Sequence, residues 1–155
     1  MERKEIIQAI NQKFREMSTE TILFHQAVAD VLGLHITDHK CLDFIYRFGA
    51  MPAGKLCELT GLTTGAVTGI IDRLEEAGYV RRRNDPKDRR LTIVEPTQNK
   101  KLERKLETIF IPLHEGMHKL LSSYSDSELA FLLEAVTKGV ELTHEESKKL
   151  LSLKK

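Results

Sequence analysis

The sequence predicts a mainly α-helical fold with a small β-wing, in which a winged helix-turn-helix lies between long N- and C-terminal helices. Apolar residues recur at helical spacing towards both ends of the chain. Two short helical patterns in the middle are joined by a turn that contains a glycine. A stretch of turn residues followed by β-branched residues comes directly after them. We therefore expect terminal helices at residues 1–36 and 98–155 and a winged unit at residues 37–97.

The first helix is predicted over residues 3–32, where apolar side chains recur every three or four positions. Gly33 can end it, because glycine readily adopts the left-handed conformation of a helix C-terminus. A second helix is predicted in the stretch ITDHKCLDFIYRFG. Thr37 is its expected N-cap, Asp38 suits its first turn, and Gly49 is expected to end it.

The stretch MPAGKLCELTGLTTGAVTGIIDRLEEAG predicts the helix-turn-helix. Pro52 suits the first turn of one helix, Gly61 lies at the turn, and Thr63 can cap the next helix. Gly78 can end that second helix. Apolar residues at i, i+3, i+4 and i+7 form its buried stripe, namely Val67, Ile70, Ile71 and Leu74. The outward face is then small and polar, with Thr64, Gly65, Thr68, Gly69, Asp72 and Arg73.

A β-hairpin, the wing, is predicted next. Val80 leads into its first strand, RLTIV forms the second, and NDPKD has the residues of a turn. The segment RRRNDPKDRR, residues 81–90, has six basic and two acidic residues, a net charge of +4 in a chain whose total is +1. Such a charge suits DNA phosphate, and arginine suits a narrow minor groove. Asp88 can orient a neighbouring guanidinium by a charge-assisted hydrogen bond.

Two more helices are predicted after the wing. From Thr97 onward, apolar residues keep helical spacing, and Pro112 inside this run is expected to kink or split the helix. The sequence SDSE, from Ser125 to Glu128, is a capping box that begins the last helix. The apolar stripes of the terminal helices are longer than a small winged unit can cover. We therefore expect these helices to be dimerisation helices that form a homodimer.

Two neighbouring features favour double-stranded DNA as the partner. A slim polar helix face can enter the major groove, and a cationic hairpin beside it can reach the flanking backbone. The alternatives are an ordinary helix with a solvated charge run, or a winged unit that binds protein. The residues expected to bind DNA are Thr63, Thr64, Gly65, Thr68, Arg73, Arg81, Lys87, Asp88, Arg89 and Arg90.

The stretch ELTGLTTGAVTGIIDRLEEAGYVRRRNDPKDRRLTIVEPT resembles the multiple-antibiotic-resistance-regulator (MarR) family. The run IIDRLEEAGYVRR, followed by DPKDRR and a strand, is specific, and the resemblance is sharp over residues 52–97. It implies a homodimeric transcriptional regulator, often a repressor, on a pseudo-palindromic operator. It also implies that a recognition helix around residues 64–73 reads the major groove, and that Asp88 and Arg90 supply a minor-groove contact.

The resemblance further implies release of DNA by a small, often aromatic ligand. Candidate ligand-binding residues are Phe24, His25, His35, Phe44, Tyr46 and Arg47. The alternative for these residues is ordinary packing in the core. No metal site is predicted. His114 and His118 have the i, i+4 spacing of a chelating pair, but a further ligand such as His39 or Asp38 would have to lie close to them.

Other classes of protein are excluded by what the sequence does not contain. No apolar run is long enough for a membrane span, and the charged N-terminus is no signal peptide, so we expect a cytoplasmic protein. Cys41 and Cys57 do not make a disulfide framework. The chain contains no phosphate-binding loop and no nucleophile elbow. We therefore expect neither an enzyme nor a cofactor.

Overall fold

The computed structural model describes residues 1–88 and 90–153, and this part of the chain forms six helices and one three-stranded sheet. The helices are α1 Arg3–Leu32, α2 Ile36–Phe48, α3 Ala53–Thr60, α4 Thr64–Glu76, α5 Lys100–Leu121 and α6 Asp126–Ser152. The strands are β1 Met51–Pro52, β2 Val80–Asn84 and β3 Thr92–Pro96. The predicted fold class, mainly helical with a small β-wing, is therefore confirmed.

The chain divides into two compact units, Met1–Leu102 and Glu103–Lys155. The first unit holds α1 to α4 and the sheet, and every buried residue of the described chain lies in it, between Val28 and Leu102. The described residues of the second unit, which includes α6, leave large apolar side chains exposed. In the part of the chain that the structure describes, no helix combines the length and the apolar character needed to cross a membrane.

The sheet is antiparallel with β3 in the centre. β2 and β3 form the predicted hairpin, in which Val80 is opposite Pro96 and Asn84 is opposite Thr92. β1 pairs with the other side of β3, with Met51 opposite Val94. Sequence patterns did not predict β1, because a two-residue strand has no periodicity and its partner lies far along the chain.

Several predicted helix ends are confirmed. Gly33 ends α1 in the left-handed conformation, with φ of 69°. The Thr63 side chain accepts a hydrogen bond from the Ala66 N–H and caps α4. Ser125 and Glu128 form the predicted capping box of α6. α5 continues through Pro112 as one helix, so the proline does not split it.

The start of α2 was predicted wrongly. His35 is the N-cap and Ile36 the first helical residue, so Thr37 lies inside the first turn. This earlier start makes Asp38 the third residue of the helix, close to the N-terminus, where a negative charge is favourable. Asp38 is buried there.

Two other boundaries shift because of local hydrogen bonds. β3 begins at Thr92 rather than Arg90, since Leu91 still belongs to the turn, where its N–H donates to the Asp88 carbonyl. α5 begins at Lys100 rather than at Thr97, because the Asn99 side chain accepts a hydrogen bond from the Leu102 N–H and caps the helix; Thr97 lies before it, and its hydroxyl donates to the Gly78 carbonyl. That contact holds the segment before α5 against the end of the loop that follows α4.

Candidate nucleic-acid interface

The outward face of α4 is slim, polar and open to solvent. The predicted inner stripe is buried, with Val67, Ile70, Ile71 and Leu74 at most 3% exposed. Thr64, Gly65 and Thr68 are exposed, as is the cap residue Thr63. A Cβ built on Gly65 would meet no atom within 4 Å, so packing inside the protein does not require glycine there. This face can therefore approach an external surface closely.

At the C-terminal end of the same helix, Arg73 anchors α4 to α2. Its Nε and Nη2 atoms donate to the two carboxylate oxygens of Asp38, each over 2.7 Å. The Asp38 side chain is 2% exposed and that of Arg73 is 47% exposed. The hydrogen bonds to Asp38 raise the pKa of Arg73. Arg73, expected to bind DNA, thus has a partner inside the protein, and its outer half stays accessible.

The three arginines at the root of the wing alternate between two sides of β2. Arg81 and Arg83 share the carboxylate of Glu95 on β3, at 2.7 and 2.8 Å. Hydrogen bonds from Arg83 and then Arg81 lower the pKa of Glu95. Arg82 points the other way, towards α4. The root of the wing therefore carries much less free positive charge than its sequence suggests.

Arg82 connects the wing to α4 by four hydrogen bonds. Its Nη1 donates to Glu75 over 2.6 Å, and its backbone N–H donates to the other oxygen of the same carboxylate over 2.9 Å. Its Nη2 donates to Asp72 over 2.5 Å and to the Thr68 carbonyl over 3.1 Å. The hydrogen bonds from Arg82 lower the pKa of Glu75. The root of the hairpin therefore lies beside the outward face of α4.

The tip of the wing is a tight turn with exposed cations. Asp85 accepts hydrogen bonds from the backbone N–H groups of Lys87 and Asp88, at 2.7 and 3.2 Å. Asp88 accepts from Nε and Nη2 of Arg90 at 3.2 and 3.3 Å, and these bonds lower the pKa of Asp88. The Arg90 side chain is nevertheless 90% exposed. Lys87 forms no ion pair within residues 1–88 and 90–153. Arg89, another predicted contact, lies outside the described residues.

Sequence reasoning did not predict that four carboxylates pair with the arginines of this surface. Asp38, Asp72, Glu75 and Glu95 each pair with an arginine of α4 or β2. Asp72, Glu75 and Glu95 lie near the arginine run in the sequence, and Asp38 lies far from it. Their pairing was not visible in the sequence, because it depends on how the hairpin folds back on α4 and how α2 packs against it.

The candidate ligand residues lie on α1 and α2. The rings of Phe24 and His25 meet edge to face at 5.7 Å, and Nδ1 of His25 is 3.0 Å from Nε2 of His39. His39 is 3% exposed, and its own Nδ1 has no hydrogen-bond partner among the described residues. Burial, with the neighbouring His25, lowers the pKa of His39. The structure thus joins α1 to α2 through an imidazole pair that the sequence did not predict.

The other candidates have varied surroundings. His35 is the exposed N-cap of α2, and Phe44 stacks on Phe48 with ring centroids 6.1 Å apart. The Tyr46 hydroxyl donates to a backbone carbonyl over 3.5 Å, and Arg47 lies 3.8 Å from the carboxylate of Asp43. Within residues 1–88 and 90–153, no cluster of three or more histidine, cysteine or acidic residues could hold a metal ion.

Comparison with known proteins relates this chain to a known family. A MarR family profile matches residues 34–92. The HTH-type transcriptional regulator YcgE of Bacillus subtilis is 41% identical over 148 residues, which cover 96% of this chain and 95% of YcgE. The transcriptional regulator Tm0710 of Thermotoga maritima matches with a TM-score of 0.61 at 24% identity, over 90% of this chain and 96% of that one. A variant of S. aureus MepR bound to an oligodeoxyribonucleotide matches with a TM-score of 0.57 at 18% identity, over 86% and 97%. Both structures share the fold of this chain.

Proposed function

The chain belongs to the MarR family of DNA-binding, helix-turn-helix transcriptional regulators, and we propose that it is a repressor that binds a pseudo-palindromic operator as a homodimer. Regulation of transcription, not catalysis, is the role of this family. One observation supports the proposal best: Arg82 at the root of the wing donates to the Asp72 carboxylate, on the outward face of α4, and to the Thr68 backbone carbonyl. The wing and this face are therefore neighbours, so that one duplex can contact both.

We propose that α4 and the wing bind different parts of the DNA. Thr64, Gly65 and Thr68 on the exposed face of α4 read base edges or phosphates in the major groove, which admits an α-helix, and their small size lets the helix backbone approach closely. Arg90, held by Asp88, and Lys87 bind the minor groove or its phosphates. The oligodeoxyribonucleotide complex of the MepR variant supports DNA as the partner, because that protein has the same fold. Because a regulator of this kind acts on DNA inside the cell, we propose that it is cytoplasmic.

Exposed apolar stripes support the homodimer. α1 exposes Ile6, Ile10 and Phe14, and α6 exposes Leu133 and Val140. Apolar stripes of this length on a single subunit favour a symmetric partner. Two-fold symmetry would place two recognition helices about 34 Å apart, one turn of DNA. Analytical ultracentrifugation should show a dimer that Leu133→Glu weakens and that Lys138→Glu, on an exposed polar position of α6, leaves intact. A monomeric wild type would contradict this proposal.

A small aromatic ligand is proposed to release the DNA. The pair of Phe24 and His25 on α1, next to the buried His39 on α2, supplies ring surface and polar nitrogens, which such a ligand needs. A thermal-shift screen of small phenols and aromatic acids tests this. A compound that stabilises the wild type should lower its DNA affinity, and His25→Ala should weaken both effects. If every stabilising compound leaves DNA affinity unchanged, release by a ligand is wrong.

The DNA-binding proposal itself is tested by selecting duplexes from a random-sequence library with the purified protein. We expect enrichment of a motif with two inverted half-sites, and an affinity that falls steeply as salt is raised. Bases protected in footprinting should then fall in two major grooves on one side of the duplex. Absence of enrichment together with salt-independent binding would favour the alternative, a winged unit that binds protein.

A further inference from the structure

We infer that Arg82 is a positioning residue, which fixes the wing against α4 and thereby supports sequence discrimination without binding DNA itself. The inference rests on the proposed DNA-binding function and adds a residue to it. Arg82 was not among the residues expected to touch DNA. Its side chain is 27% exposed, against 90% for Arg90 at the tip of the same hairpin. A guanidinium this enclosed, with three hydrogen bonds to α4, is poorly placed for a phosphate.

The contacts of Arg82 extend over two turns of α4. Thr68, Asp72 and Glu75 each receive a hydrogen bond from its guanidinium, through a fork geometry that only arginine supplies. Glu75 also accepts the backbone N–H of Arg82, so that one carboxylate holds both the side chain and the main chain of β2. In the three-stranded sheet β2 is an edge strand that pairs with β3 alone, and this link fastens it to α4.

Charge gives Arg82 a second effect on the same surface. Asp72 is exposed on the outward face of α4, where an unpaired carboxylate would repel DNA phosphate. The Arg82 guanidinium lies 2.5 Å from the Asp72 carboxylate and neutralises its charge. If Arg82 acts by positioning the wing, removing Glu75 should lower sequence discrimination, because it loosens the wing. If Arg82 acts only by neutralising charge, removing Glu75 should not lower it, because the surface becomes more positive.

The experiment measures the affinity of each variant for the duplex selected by the wild type and for a scrambled duplex of equal length, over a range of salt concentrations. Arg82→Gln and Glu75→Gln test the link. Arg83→Gln is the matched control, because Arg83 lies next in the same strand and carries the same charge, but pairs with Glu95 on the other side. Partial unfolding scales both affinities alike and leaves their ratio unchanged.

We expect R82Q and E75Q to lower the ratio of selected to scrambled affinity about tenfold, and R83Q to change it less than about twofold. E75Q should do so while its affinity for the scrambled duplex is maintained or raised. An unchanged ratio in both variants overturns the inference, and so does an unchanged ratio in E75Q alone, which would show that Arg82 acts through its own charge. Failure of the wild type to select any duplex would instead overturn the proposed function.

Discussion

Replacing Arg73 with alanine should destabilise the protein more than replacing its partner Asp38 with asparagine. R73A leaves a carboxylate that is 2% exposed without its cation, whereas D38N leaves a guanidinium that is 47% exposed and can be hydrated. The two hydrogen bonds of 2.7 Å are charge-assisted. With allowance for the exposure of Arg73, we expect the free energy of unfolding to fall by about 3 kcal/mol in R73A and by about 1–2 kcal/mol in D38N.

Urea unfolding at one fixed protein concentration measures these differences. The double variant R73A/D38N should recover about 1–2 kcal/mol relative to R73A, because it no longer contains the buried charge. R47A is the control, since Arg47 is 60% exposed and pairs with Asp43 at 3.8 Å on the surface of α2, a pair worth less than about 0.5 kcal/mol. The reasoning is refuted if R73A loses no more stability than R47A, or if the double variant is no more stable than R73A.

Four further predictions concern other parts of the protein. Lys87→Ala and the double change Arg89→Ala with Arg90→Ala should each weaken DNA binding by about 1–3 kcal/mol and make the salt slope shallower by about 0.9 per lost phosphate contact, as measured by fluorescence anisotropy; an unchanged slope contradicts a phosphate contact. Gly65→Ala should raise the free energy of unfolding by up to about 1 kcal/mol, because its new Cβ meets no protein atom, and yet should weaken operator binding; undiminished binding would show that this face does not approach DNA closely. Because the pKa of His39 is lowered in the folded state by burial and by His25, against the opposing charge of Asp43, the unfolded chain takes up the proton first, and wild-type stability should fall as the pH drops below 6.5; urea unfolding of His39→Leu over the same range should show a flatter profile, and identical profiles would exclude His39 as the cause. Ser125→Ala should destabilise α6 by about 1 kcal/mol in thermal unfolding, with Ser127→Ala as a milder control; equal effects of the two changes would contradict the capping role.

Local sequence signals predicted the elements of this fold well, because they act within a few residues. The buried stripe of α4, its cap at Thr63 and the glycine at the end of α1 each depend on helical periodicity or on one side chain next to its own backbone. β1 escaped prediction since its pairing with β3 is long-range. The N-cap of α2 was misplaced because threonine is a good capping residue, whereas the actual N-cap, His35, makes no side-chain capping bond that a local signal could reveal.

The sequence predicted which types of residue form the candidate interface, but not which of its cations are paired inside the protein. The sequence places six cations on one short segment, and we expected several of them to bind DNA. The structure divides them by partner: Arg81 and Arg83 pair across the sheet, Arg82 pairs with α4, and Arg90 stays exposed at the tip. These partners come from elements separated along the chain, so that charge counting alone could not distinguish a structural cation from a free one.

The alternation of arginines along β2 constrains where residues can be inserted or deleted in the wing. Because neighbouring strand residues face opposite sides, inserting or deleting a single residue before Arg82 would exchange the inner and outer guanidinium groups and break both sets of pairs at once. Of the tip, the structure describes residues 86–88 and 90, and these take no part in the strand pairing that fixes the register. Insertions and deletions during evolution should therefore be tolerated at the tip of the hairpin but not at its base. The length of the wing can then vary among homologues while the pairing at its base is kept.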